Sequence, residues 1–523
     1  MSEQTLTLRD LIRRAAADYP DNEAVVDDLY RYTYAQLLDR VQRMAKLLHT
    51  LGVRKGDRVA LMMPPSVSHL IALFGAIELG AIPSALHVRE SEATLAAIID
   101  RLSPRVLVYD GAFSQKARAL VAANQRITAT VAAASAITPE AVEDGPVIPR
   151  DLDNYEYDFE PMPVSPDETA VIALSSGTTG IPKGIMHTHR TLVASARCGA
   201  PYMAAHSNAT GINIFTTAFI GWYNCTLPFL YAASKIVYLS QWSPQSFLRT
   251  IQEERVSVCF MVPTMWRMLL REHPEQYDLA SLERIGYAGE TMDTATMKQL
   301  REQICASIIN TYGTTETGSW GGCTVMTPED YQRFPDKLES VGRPGLGVEV
   351  RVVIPGGSVD ETVAPGQQGE VIFSGPSVAN QLWEQPALSR KIFDGRWWRS
   401  GDMGEVDEQG FLYLRGRLDD MIISGGINVM PGQVEDAVLS HPAVSECVVI
   451  GLPNAEWGQQ VTAFVVCNAQ VTAEALAEHV NSTSLSGYKK PREYRFVAEL
   501  PRGNTGKVNR KMLRDQVLAE SLA

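Results

Sequence analysis

A run of apolar and β-branched residues, TAVIA (169–173), breaks off into LSSGTTGIPKG (174–184). The first part reads as a strand. The second sets Gly177, Gly180 and Gly184 among Ser175, Ser176, Thr178, Thr179 and Lys183. Glycine lets the backbone turn so that several N–H groups converge, hydroxyls add donors, and a lysine supplies a point charge; together they make a cradle for phosphate. The loop is not G-x-x-x-x-G-K-[ST], because Gly184 follows Lys183. A strand that stops at such a loop suits an α/β sheet, where ligands collect at the carboxyl ends of strands.

The rest of the chain fits that frame. Thr33 to Gln36 forms a capping box, and Leu37, Leu38, Val41, Met44, Ala45 and Leu48 recur at helical spacing behind it. DRVALMM, PRVLVYD, NIFTTAF, SKIVYL and VSVCFMV read as strands between helical patterns, which predicts parallel pairing. HLIALFGAIELGAIPSAL carries Glu78 and Pro83 and is too short to span a bilayer, so it is expected as a buried helix and strand. Residues 128–167 are expected as a surface excursion with solvated acids. LERIGYAGETM and ASIINTYGTTETG are strands that end in Gly/Thr turns. Residues 340–415 turn to short strands between glycines, a small β-subdomain. From Arg417 onward about a hundred residues make a final domain.

The net charge of −13 over 523 residues argues against nucleic acid as a partner. The seven cysteines show no metal-like spacing, as expected of reduced thiols in a cytoplasm, and the N-terminus lacks an apolar signal core.

Four stretches now stand in order: SSGTTGIPKG; YGTTETG; RSGDMGEVDEQGFLYLRGRLDDMIISGGINVMPGQVE; and LPRGNTGKVNRKMLR. They resemble the core motifs of the adenylate-forming superfamily, in its acyl-CoA synthetase branch, from the first helix to the last twenty residues. The resemblance implies a large N-terminal domain of mixed α/β sheets with a β-subdomain (1–416) and a small, mobile α+β C-terminal domain (417–523), with the active site between them. It implies two steps: a carboxylic acid attacks the α-phosphate of ATP, giving an acyl-adenylate, and the thiol of coenzyme A then displaces AMP.

Roles follow from the same resemblance. Ser176, Thr178, Thr179 and Lys183 hold the β- and γ-phosphates. Glu316 holds Mg2+, a hard cation suited to a carboxylate. Gly313 and Thr315 face the α-phosphate, Tyr312 lies beside adenine, and Gly289 and Glu290 line the adenine and acyl pockets. Asp402 and Arg417 take the ribose, and Asp419 is the hinge. Lys507 is the catalytic lysine of the first step, with Thr178 and Glu316. Gly425 and Gly426 let the pantetheine arm pass in the second.

Phe219 stands where the family often has histidine. Phe219, Gly221, Trp222, Gly286, Ala288 and Gly321 are expected to line the acid's pocket. These segments hold no Lys, Arg or Asp, which argues against an amino acid, and their glycines suggest room for a bulky, mainly apolar acid. The alternatives kept open are an enzyme that loads a carrier protein and a chain that keeps only thioester formation. No membrane partner is expected, and a homodimer stays open.

Overall fold

The computed structural model describes residues 6–137, 145–160, 162–175, 181–289, 292–425, 427–483, 485–502 and 508–522. They fall into two compact units. The first comprises the described residues of Met1–Ser176, Ile181–Val350 and Phe373–Trp398; the second, those of Arg351–Ile372 and Arg399–Ala523.

The first unit is built on two sheets. In the larger, six parallel strands run in the order Ile308–Tyr312, Arg284–Ala288, Val258–Met261, Thr210–Asn213, Lys235–Tyr238 and Glu23–Val26. Antiparallel strands flank them: Thr324–Met326 and Arg343–Pro344 at one edge, Arg31–Thr33 at the other. The second sheet is wholly parallel, in the order Ile82–Ala85, Arg58–Met62, Val106–Asp110, Ala129–Ala133 and Val147–Ile148. Parallel strands bury both faces, which is why burial runs along them continuously rather than alternating. The helix Val67–Leu79 is buried all round, as its lack of a polar face requires. The capping box at Thr33 forms as expected, with Gln36 answering the Thr33 N–H.

Two expectations are corrected. Residues 128–167 are not only an excursion, since Ala129–Ala133 and Val147–Ile148 complete the second sheet. Their acids Asp153 and Asp158 stay exposed but meet Arg40 and Lys46. The strand begun in NIFTTAF ends at Asn213. The Asn213 side chain accepts from Phe215 N–H at 3.0 Å and donates to Trp222 O at 2.8 Å, so it turns the chain instead of extending it.

Thr169–Leu174 and Gly184–Thr188 form a two-stranded antiparallel ribbon. The second unit carries an antiparallel core of Ile427–Val429, Ile422–Ser424, Gly458–Cys467 and Val444–Asn454, with Glu493–Phe496 parallel to Gly458–Cys467. Val434, Val438, Leu476 and Val480 from helices Pro431–Leu439 and Ala473–Ser482 close its apolar face. No helix among the described residues is long and apolar enough to cross a membrane.

His69 tests the first unit's core. It is fully buried, edge-on to Trp222 at 4.9 Å, and neither ring nitrogen has a partner among the described residues. Burial holds its pKa down at about 3. A histidine depressed in the fold binds its proton only on unfolding, so stability is full above the ordinary value near 6.5 and falls as pH drops below it. His69→Phe should keep or raise stability at pH 7 by ~1 kcal/mol. It should also flatten the pH dependence between pH 6 and 4.5 by about one proton, ~1.4 kcal/mol per pH unit. Urea midpoints across that range check both, and an unchanged slope would contradict the assignment.

Candidate functional site

The ribbon Thr169–Leu174 and Gly184–Thr188 holds the glycine-rich loop by its two ends. Ser175 N–H donates to Lys183 O at 2.9 Å, which closes the base of the loop. Gly184 is required there, since a Cβ would lie 2.8 Å from Ile172 and 3.1 Å from Trp383. Ser176, Thr178 and Thr179 lie outside the described residues. Ser175 is buried, and its hydroxyl has no protein partner among the described residues. Lys183 is half-buried and forms no ion pair among the described residues.

The second loop follows the strand Ile308–Tyr312. Three successive carbonyls are held from two other segments of the chain. Thr315 O accepts from His187 Nε2–H at 2.8 Å, Glu316 O from Ala379 N–H at 2.8 Å, and Thr317 O from the Ser377 hydroxyl at 2.6 Å. Thr317 Oγ1 also accepts from Thr314 N–H at 3.0 Å, and Gly313 leaves room for it, as a Cβ there would stand 3.1 Å away. With the main chain pinned, the side chains of Thr315 and Glu316 are left without a protein partner among the described residues, and the buried Thr314 hydroxyl is likewise unpartnered. A buried hydroxyl with nothing to bind costs ~1–3 kcal/mol, so hydroxyls left this way on both loops suit a ligand rich in acceptor oxygens. Tyr312 lies 5.7 Å from Phe373, ring to ring. Gly289 ends the neighbouring strand Arg284–Ala288 at φ +88°, a conformation that favours glycine. Glu290 lies outside the described residues.

No cluster of three or more metal-ligating side chains occurs among the described residues. Glu316 alone fits Mg2+, which binds through one or two carboxylates and otherwise through water and phosphate oxygens.

The expected pocket glycines are a correction. A Cβ on Gly286 would lie 2.1 Å from the Phe260 ring, and one on Gly221 would lie 3.3 Å from Phe215. A Cβ on Gly321 would meet Ser377 at 3.0 Å. Their space is filled by protein. The inference from glycine to a bulky acid therefore loses its support. Trp222 is also sealed, among His69, Tyr223 and Tyr238, and lines no open space. Phe219 is half-buried, and so is Ala288, at the end of its strand.

In the second unit Asp402 and Arg417 face each other across the hairpin of Trp397–Val406 and Leu412–Arg417. Arg417 Nη1 donates to Asp402 Oδ1 at 2.7 Å and to Ser400 O at 2.8 Å. Gly401, at φ +68°, allows this, since a Cβ would stand 3.2 Å from the guanidinium. Asp419 is exposed in the turn Leu418–Asp420. Gly425, at φ +58°, donates its N–H to Trp457 O at 2.8 Å. Gly426 and Lys507 lie outside the described residues.

The family profile described as AMP-binding enzyme matches residues 12–383, and that described as AMP-binding enzyme C-terminal domain matches residues 433–507. The chain is an AMP-binding enzyme. It is 30% identical to the long-chain-fatty-acid–CoA ligase FadD13 of Mycobacterium tuberculosis, over 97% of this chain and 98% of that one. It is 30% identical to the feruloyl-CoA synthase of an Amycolatopsis species, over 95% and 96%. The o-succinylbenzoate CoA synthetase of Bacillus subtilis, solved with its acyl-adenylate intermediate, superposes with a TM-score of 0.83 at 26% identity, covering 97% of this chain and 98% of that one. The same synthetase has been solved with ATP and a magnesium ion, at a TM-score of 0.82, 25% identity, and coverage of 97% and 99%. This AMP-binding enzyme is an acid–thiol ligase of the acyl-CoA synthetase branch, using ATP, Mg2+ and coenzyme A.

His187 escaped the sequence reading because a histidine in a strand announces nothing. It is fully buried, and burial holds its pKa down at about 4, so the ring is neutral and its Nε2–H is free to donate. His187→Leu should weaken Mg·ATP binding about tenfold by releasing the Thr315 carbonyl, with His187→Gln recovering most of it. Calorimetric titration with Mg·ATP measures this directly, and equal affinities would contradict the role.

Proposed function

We propose that this ligase activates a mainly apolar carboxylic acid through an acyl-adenylate and passes it to free coenzyme A. The observation that carries the reading is the second loop: its main chain is tied down while Thr315, Glu316 and the Thr314 hydroxyl face no protein partner among the described residues. A rigid set of donors and one carboxylate, fixed before substrate arrives, is what charge stabilisation requires.

In the first step a carboxylate oxygen bonds to the α-phosphorus, and pyrophosphate leaves. In the second the thiolate sulfur bonds to the acyl carbon, and AMP leaves with the bonding pair. The carboxylate is a poor electrophile, and the mixed anhydride with AMP is a good one. Bound Mg2+ would neutralise phosphate charge, and Glu316 is the residue proposed to hold it. Ser176, Thr178, Thr179 and Lys183 are proposed to take the outer phosphates, and Gly313 and Thr315 the α-phosphate. Tyr312, Gly289 and Glu290 are proposed around adenine, with Asp402 and Arg417 at the ribose. Lys507 is proposed to offset the charge that grows on the α-phosphate and the carboxylate. Gly425 and Gly426 are proposed for passage of the pantetheine arm.

The proposed domain division is 1–416 and 417–523 with Asp419 as hinge; the two family profiles leave residues 384–432 between them, which supports it. Apolar character rests on the aromatic and aliphatic lining, with Phe219 where a histidine is frequent. All seven cysteines are free, which supports a reducing compartment, the cytoplasm.

Mass spectrometry of products from a carboxylic-acid panel with ATP, Mg2+ and CoA should show thioesters of apolar acids. Thioester formed only on a carrier protein would redirect the acceptor. Lys507→Ala should cut ATP–pyrophosphate exchange about a hundredfold or more and leave thioester formation from supplied acyl-adenylate nearly intact. Equal loss in both half-reactions would refute the role given to Lys507.

A further inference from the structure

The turn after the strand Ile82–Ala85 carries a histidine that none of the recognised motifs contains. The strand is sewn to the ribbon below the phosphate loop, because the Ser84 hydroxyl donates to Ile172 O at 2.8 Å. Leu86 packs in one cluster with Ile172 and Leu174. His87 comes next, and its ring lies 5.3 Å from that of Phe219. Phe219 in turn follows Ala218, whose carbonyl accepts from Leu174 N–H, one residue before Ser175. His87 and Phe219 therefore stand together at the end of the ribbon from which the phosphate loop departs.

The backbone around His87 is rigid. Leu86 N–H donates to Leu61 O at 2.7 Å, Glu90 N–H to His87 O at 3.0 Å, and Lys116 Nζ to both Val88 O and Glu90 O at 3.0 Å. Arg89 N–H donates to His87 Nδ1 at 3.3 Å. An acceptor at Nδ1 places the ring proton on Nε2. The residue is only 7% exposed, yet Nε2 is not sealed as both nitrogens of His69 are, and it has no partner among the described residues. Burial lowers the pKa of the ring, which keeps it a neutral donor.

We propose that His87 is a specificity-determining residue that donates its Nε2–H to the carboxylate of the acid, with the Phe219 ring packed beside it. The inference rests on the pocket assigned above to Phe219. A neutral donor meeting a carboxylate makes a charge-assisted hydrogen bond without the repulsion or strong ion pairing that a charged group would bring beside phosphate. It orients the acid by one oxygen and leaves the other to attack phosphorus. Phe219 cannot form that bond, so the imidazole reaches the acid from a different segment.

The test compares the wild type with His87→Ala and His87→Gln in ATP–pyrophosphate exchange, using octanoate, 4-chlorobenzoate and ferulate. For each acid that the wild type accepts, His87→Ala should raise the KM for the acid about tenfold or more. The KM for ATP should hold, and His87→Gln should recover most of the loss. An unmoved acid KM, or equal shifts for acid and ATP, overturns the proposal. A second arm needs no substrate. In long-range 1H–15N NMR spectra of the free enzyme, assigned with the His87→Gln variant, His87 should be the neutral ring protonated at Nε2 at pH 7. A proton on Nδ1, or a charged ring, overturns the proposal even if none of the three acids is turned over; failure to turn over all three counts against the apolar-acid reading alone.

Discussion

Three carbonyls in a row, those of Thr315, Glu316 and Thr317, are each tied to a donor from elsewhere in the chain. Everything proposed for the nucleotide depends on that clamp. A loop of small hydroxyl residues has no packing of its own to hold it, and an unheld loop would lose in ordering entropy much of what it gained in binding. Here the ordering is done during folding. The donors come from His187 on the ribbon and from Ser377 and Ala379, so the loop sets only when distant parts of the first unit have met.

The same logic accounts for neutral histidines in the interior. His187 works because burial denies it a charge, and His87 is kept neutral by the same cause to a smaller degree. His69 has burial without partners among the described residues, and desolvation is uncompensated there. One physical term, the cost of moving charge out of water, thus produces a brace, a donor and a weak point, depending only on what each ring nitrogen meets.

Much of this was legible in the sequence. The strand before the glycine loop, the capping box at Thr33, the run of parallel strands and the two Gly/Thr turns were each marked by local pattern, and local pattern is what short-range sterics and hydrogen bonding dictate. Asp402 and Arg417 were each singled out by motif, and the hairpin brings the two together. What stayed hidden was nonlocal. Nothing near His187 says that a carbonyl 128 residues away will need it. Nothing near Gly286 says that its side is taken by a phenyl ring from the next strand. The strands Ala129–Ala133 and Val147–Ile148 were missed because alanine and proline mask strand character that the sheet imposes.

The contact between Gly286 and Phe260 reaches further than the packing of one ring. The two residues are register partners on adjacent parallel strands, so neither can slide away from the other. They behave as one unit of inheritance: any side chain gained at position 286 demands a smaller one at 260, and a chain that trims the ring frees a position for its neighbour to fill. Among descendants of this enzyme, the shape of that wall should change by exchange between two codons rather than by drift at either one.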